Sequence, residues 1–287
     1  VRGAHARQAS SKGHPAYRLQ TRGVAHRRHF LHGGGWTVGD FETYEPLCRE
    51  IANAMNAVLV WVEYRLAPEH PYPVAFDDVR HALNWIHDSH ASLGIDPNRL
   101  GIAGDSSGGN LAAAASLAAR EQPGSFLPKF QILIYPCLDL KATLDSHRTF
   151  AEGYLLTEEL YAWYRRNYIC GFVKATHWRL SPLFAHDVSG LPPAVILYVG
   201  FDPLRDEAAT YAHRLRESGV PVKTLYFPDM IHGFLTMGGT IPAASAAIGR
   251  IASAVDLPKA AALSLTFSRY KYHVCGAACP AFPNSNI

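Results

Sequence analysis

The 287-residue chain is 48% apolar and 18% charged, which supplies a sizeable core and excludes wholesale disorder, and it has no apolar run of membrane-spanning length. Its net charge of +3 hides an asymmetry: all 24 acidic residues fall between Asp40 and Asp256, while residues 1–31 and 257–287 hold ten Lys/Arg and no acid. A nucleic-acid partner would rest on those ends alone, and their lack of a groove-binding motif or interleaved aromatics excludes it as the main function.

Residues 1–29 do not read as regular structure. In an α/β fold the stretch Val24–His29 would be a buried strand, yet it carries His26, Arg27, Arg28 and His29, whereas central parallel strands are continuously apolar. A transit peptide and an altered or truncated segment both fit this composition; the second is preferred. From Phe30 the texture changes. Phe30-Leu31 lead into His32-Gly33-Gly34-Gly35-Trp36, where three glycines free backbone N–H groups to point into a cavity. Apolar spacing then predicts a helix from Tyr44 to Met55, a buried strand Ala57–Val62, a Pro-bounded loop Tyr64–Pro71 and a helix Phe76–His87. Asp77 and Asp78 in that last helix suit its N-terminal dipole, and His70, His81 and His87 lack metal-type spacing.

The organising motif is Gly104-Asp105-Ser106-Ser107-Gly108, between the apolar run Leu100–Ala103 and the alanine-rich helical run Leu111–Arg120. Strand, sharp turn and helix with a serine at the turn make a nucleophile elbow. A strand Phe130–Tyr135 follows, and the strand–helix alternation predicts an α/β fold with a mostly parallel sheet flanked by helices. Residues 139–190 break the rhythm. Within them Thr157 caps a helix to Tyr168 whose Tyr161, Trp163, Tyr164 and Tyr168 suit sheet packing and a pocket-lining cap equally.

The sheet resumes at Ala194–Gly200. Asp202 stands where that strand ends and a helix begins, with Pro203 suited to the first helical position and Asp206-Glu207 to the helix dipole. A last strand Val222–Phe227 leads to the loop carrying His232, and Ala243–Val255 forms a final helix. Beyond Leu257 no helical or strand period persists, so residues 258–287 are expected to be a disordered or non-native end. Cys48, Cys137, Cys170, Cys275 and Cys279 show no metal spacing, and a reducing, cytoplasmic setting is the simplest reading.

A serine hydroxyl needs an adjacent base, and His232 is the histidine in a strand-to-loop context after the elbow. Asp202 would orient it, and backbone N–H groups of the glycine loop and Ser107 would bind an oxyanion. His32-Gly33-Gly34-Gly35-Trp36, Tyr64–Glu69, Gly104–Asn110, Asp202–Glu207 and His232-Gly233-Phe234 together resemble the signatures of the hormone-sensitive lipase family of bacterial family IV esterases, from about Phe30 to Asp256. The resemblance implies an α/β-hydrolase fold and cofactor-free, metal-free hydrolysis of short-chain carboxylic esters. It implies Ser106 as nucleophile, His232 as base, Asp202 as acid, and Gly34, Gly35 and Ser107 as oxyanion donors. Ser107 stands where the family usually has Ala.

The expected organisation is an atypical segment 1–29, a catalytic domain 30–257 with a cap-contributing insertion at 139–190, and a tail 258–287. Family members carry cap helices and further strands before the glycine loop, so a partial or truncated cap and lowered stability are expected. The partner is a small-molecule ester, and a homodimer stays compatible with the sequence. Two alternatives stay open: amide or carbamate cleavage by the same triad, and a binding protein on this fold, as in plant gibberellin receptors, which lack the catalytic histidine.

Overall fold

The computed structural model describes residues 17–21, 27–169, 173–255 and 265–269. Six parallel strands form the central sheet: β2 (Arg27–Leu31), β3 (Val58–Trp61), β4 (Gly101–Asp105), β5 (Gln131–Ile134), β6 (Ala194–Phe201) and β7 (Val222–Ile231). Their spatial order is β3-β2-β4-β5-β6-β7. A separate antiparallel pair joins β1 (Tyr17–Thr21) to β8 (Leu265–Arg269).

The four-residue strands β3 and β5 are buried throughout, as continuous apolar runs covered on both faces should be. One face is covered by α1 (Phe41–Ala54) and α8 (Pro242–Ala254). The other is covered by α2 (Val74–Asp88), α4 (Ser107–Glu121) and α7 (Arg205–Glu217). Short helices α3 (His90–Leu93) and α5 (Asp145–Thr149), and the longer α6 (Glu158–Tyr168), lie in the connections. Asp40 and Thr157 cap α1 and α6, each side-chain oxygen accepting a backbone N–H three residues on.

Topology puts the loops that matter on one edge. The chain leaves β2 outward to β3 and then returns past it to β4, so β2 and β4 flank the switch point where connections diverge. Leu31 pairs with Gly104, which brings the glycine loop and the elbow out side by side. Phe201 pairs with Ile231 after a register shift, so Asp202 and His232 leave adjacent strands at one level.

Four expectations change. Arg27–Leu31 is a strand inside the sheet, beginning ahead of the boundary expected at Phe30, because pairing on both sides overrides its basic composition. Of residues 258–287, expected to lack period, Leu265–Arg269 is a strand whose partner lies about 250 residues away, too distant for a local pattern to reveal. The remainder of 1–29 and of that tail, with Cys170, Cys275 and Cys279, lies outside the described residues. The elbow helix starts at Ser107, directly after Ser106 and through two glycines. The helix after β6 starts at Arg205, because Pro203 and Leu204 complete a turn closed by Asp202, whose Oδ1 accepts the Leu204 N–H at 2.9 Å.

Candidate active site

Ser106 sits at the elbow with φ 53° and ψ −118°, a left-handed conformation that a non-glycine residue adopts only when its surroundings hold it there. They do. Its N–H donates to the Ile134 carbonyl at 2.9 Å, and its own carbonyl accepts from Asn110 and Cys137. A Cβ at Gly104 would overlap the Gly108 backbone, and one at Gly108 would overlap the Leu31 carbonyl, so the turn closes only with glycine at both positions.

The other two predicted side chains converge on this turn. Ser106 Oγ lies 2.9 Å from His232 Nε2, and His232 Nδ1 lies 2.8 Å from Asp202 Oδ2. Asp202 is fully buried and uses its second oxygen on the Leu204 N–H, so its carboxylate faces one way. Burial pushes the His232 pKa down, but the charge and hydrogen bond of Asp202 outweigh it and leave the ring above the usual histidine value. In the neutral state a proton on Nδ1, held by Asp202, leaves Nε2 to accept from Ser106.

Gly34, Gly35 and Ser107 line the same cavity, whose volume is about 160 Å³. Gly34 and Gly35 have positive φ, and a Cβ on Gly35 would run into the Tyr164 ring of α6. Ser107 opens α4, where the first-turn N–H groups have no partner within the helix. The aromatics of α6 divide by face: Tyr161 and Tyr168 are buried, Trp163 is exposed, and Tyr164 is half-buried on the cavity wall. Tyr168 stacks on Trp36 with ring centroids 4.4 Å apart, so one helix both packs and lines.

Sequence reasoning passed over the residues that hold the glycine loop. Asp105, between Gly104 and the nucleophile, is buried and accepts the Gly33 N–H at 2.8 Å and the Tyr44 hydroxyl at 3.1 Å. Burial raises its pKa to about 7, against those hydrogen bonds and the nearby His232. A carboxylate at the end of a buried strand is costly unless partnered, which was a signal for such a role. His32 stacks between Trp61 and Tyr64, at 4.8 and 4.3 Å, and donates from Nδ1 to the Gly33 carbonyl at 2.7 Å. Burial lowers its pKa to about 4, so it is a neutral spacer in this loop. Glu207, read from sequence as a dipole residue, is fully buried and accepts the Leu138 and Asp139 N–H groups. Asp78, read the same way, grips the Arg65 guanidinium with both oxygens. Among the described residues no group of three His, Cys, Asp or Glu could hold a metal, and no helix is long and apolar enough to cross a membrane.

A serine hydroxyl, an imidazole and a buried carboxylate in hydrogen-bonded series, opening on a glycine-lined cavity, can carry out acyl transfer. Comparison with known proteins bears on the fold and family. The profile of the alpha/beta hydrolase fold matches residues 29–236. Carboxylic ester hydrolase LipN of Mycobacterium tuberculosis is 42% identical over 214 residues, which is 72% of this chain and 57% of LipN. Carboxylesterase NlhH of the same species is 40% identical over 224 residues, covering 77% of this chain and 70% of NlhH. Among solved structures, an ester hydrolase from the Lake Arreo metagenome superposes with TM-score 0.79 at 37% identity, over 85% of this chain and 79% of that one. The hyperthermophilic esterase of Pyrobaculum calidifontis gives TM-score 0.77 at 37% identity, over 84% and 81%. The chain therefore belongs to the α/β-hydrolase fold family, in the hormone-sensitive-lipase-like group whose relatives are named carboxylic ester hydrolases.

Proposed function

We propose that the protein is a serine carboxylesterase working through an acyl-enzyme at Ser106. The observation that carries the reading is the unbroken series Ser106 Oγ–His232 Nε2 and His232 Nδ1–Asp202 Oδ2, at 2.9 and 2.8 Å, on the wall of the glycine-lined cavity. Ser106 Oγ attacks the ester carbonyl carbon while its proton passes to His232 Nε2, and Asp202 stabilises the imidazolium. The carbonyl oxygen becomes an oxyanion received by the backbone N–H groups of Gly34, Gly35 and Ser107. Collapse breaks the ester C–O bond, and the leaving alkoxide takes the proton from His232. A water then enters, gives its proton to His232 and attacks the acyl carbon; a second collapse frees the acid and restores Ser106.

A cavity of about 160 Å³ is small beside the ~300–1,000 Å³ of drug-sized sites, which favours short acyl chains. In this reading the catalytic domain begins with the strand Arg27–Leu31 and runs through α8, and 139–190 contribute a cap through Leu155, Leu160 and Tyr164. A cytoplasmic setting and self-association rest on sequence alone. The test is an acyl-chain series of p-nitrophenyl esters with Ser106→Ala as control. Turnover should fall with chain length and vanish in the variant; equal hydrolysis by both proteins rejects the mechanism. Turnover of amides or carbamates in place of esters would move the substrate class, and binding without turnover would favour a receptor.

A further inference from the structure

Away from the triad, α5 carries a buried histidine that the reaction does not use. His147 is 3% exposed, and its Nε2 donates to Glu207 Oε1 at 2.7 Å. Its Nδ1 lies 3.7 Å from Glu158 Oε2 on α6. Both of those atoms are buried and have no hydrogen-bond partner, and 3.7 Å is beyond hydrogen-bond reach, so a protonated ring meets the carboxylate there as an ion pair. The ring also stacks on Tyr161 of α6 with centroids 5.3 Å apart.

The two sides of this bridge differ in what they hold. On one side α5 is clamped to the turn of the catalytic acid: Ser146 Oγ donates to the Pro203 carbonyl at 2.6 Å, and the Ser146 N–H donates to Asp206 Oδ2 at 2.9 Å. Glu207 also takes the N–H groups of Leu138 and Asp139, close to the elbow, where the Cys137 N–H donates to the Ser106 carbonyl. On the other side stands α6, whose Leu160, Tyr161 and Tyr164 form one wall of the cavity. We propose that His147 is a positioning residue, a bridge from Glu207 to Glu158 that seats the α6 wall against the catalytic frame and so sets how tightly the substrate is held.

The groups facing His147 are Glu207 of α7, Glu158 and Tyr161 of α6, and Asp139 of the intervening loop. Arg165 of α6 pairs with the other Glu158 oxygen at 3.0 Å, while Asp145 and Arg148 on α5 are exposed and pair with each other. Burial opposes the charged ring, but the bond and charge of Glu207 and the charge of Glu158 outweigh it, so the proton is held above the usual histidine range. Burial lifts Glu207 to about 7. Loss of the ring's Nδ1 proton removes the arm to α6 on the alkaline side; Nε2–H still reaches Glu207.

The kinetic arm of the test rests on the esterase reading; the exchange arm does not. In wild type, KM for a short p-nitrophenyl ester should rise from neutral to mildly alkaline pH. In His147→Gln and Glu158→Gln it should start about two- to fivefold higher, the scale of one partly exposed ion pair, stay flat with pH, and change more than kcat. Hydrogen exchange at neutral pH should speed up across residues 158–168 in both variants while β4 and β5 keep their protection. Glu158 is half-exposed, so its variant decides the matter even if His147→Gln fails to fold. An unchanged KM profile in folded Glu158→Gln, or unchanged exchange in α6, overturns the proposal. If wild type turns over no ester, the exchange arm alone decides it, and the esterase reading fails separately.

Discussion

Asp202→Asn isolates what the buried acid does. The substitution keeps shape: the Asn carbonyl oxygen can still accept the Leu204 N–H that Asp202 Oδ1 takes at 2.9 Å. That leaves the amide NH2 facing His232 Nδ1, where a carboxylate oxygen stood at 2.8 Å. Two donors cannot share that contact, so the histidine moves its proton to Nε2 and offers Nδ1 as the acceptor. Nε2 then meets Ser106 Oγ, 2.9 Å away, as a donor, and the base is gone. Loss of the working tautomer in a serine triad lowers kcat by about 10³- to 10⁴-fold, or roughly 4–5.5 kcal/mol of barrier. Steady-state kinetics with a p-nitrophenyl butyrate substrate reads the loss, and a thermal melt checks that the fold survives. A folded Asn variant with kcat within tenfold of wild type would refute this role.

Three further outcomes follow from the same geometry. Because Asp202 outweighs burial and raises His232, activity should fall as pH drops through an inflection above 6.5, where the base takes up a proton; an inflection well below 6.5 in kcat/KM contradicts that. Gly35→Ala forces an L side chain into φ 58° and against Tyr164, which should displace the loop and cost about 10²- to 10³-fold in kcat, the usual loss for one oxyanion donor; near-normal kcat would clear Gly35 of the role. Asp105→Asn keeps an acceptor for Gly33 and a donor for Tyr44 and should stay within about tenfold in kcat, whereas Asp105→Ala withdraws the shorter of the two Gly33 N–H acceptors, leaving the Tyr44 hydroxyl, and should lose more, with about 1–3 kcal/mol of stability. Equal kinetics and melts for the two variants would count against Asp105 as the anchor of the loop.

The residues that the sequence offers as a site are those carried by short contiguous motifs with fixed places in an α/β chain: a serine between close-packing glycines, an aspartate at a strand end, a histidine on the following loop. Their convergence follows from parallel register alone, since Leu31 with Gly104 and Phe201 with Ile231 align the strand exits. What stayed hidden depends on partners far along the chain. His147 and Glu207 are 60 residues apart, and neither has local spacing that marks a pair. Asp105 reads as a free position in the elbow motif until its partners Gly33 and Tyr44 are known. Arg27 and Arg28 argue against a central strand by composition, and only the pairing with β3 and β4 reveals one. The aromatics of α6 suited packing and lining equally, and the helix does both because its faces point different ways.

The most direct measurement is covalent: intact-mass spectrometry of protein quenched during turnover of a short p-nitrophenyl ester, followed by peptide mapping. The account expects one acyl group per chain, located on the peptide containing Ser106 and absent from Ser106→Ala. Ester turnover with no trapped acyl group and no burst of p-nitrophenol, or an adduct and turnover that persist in Ser106→Ala, would contradict it.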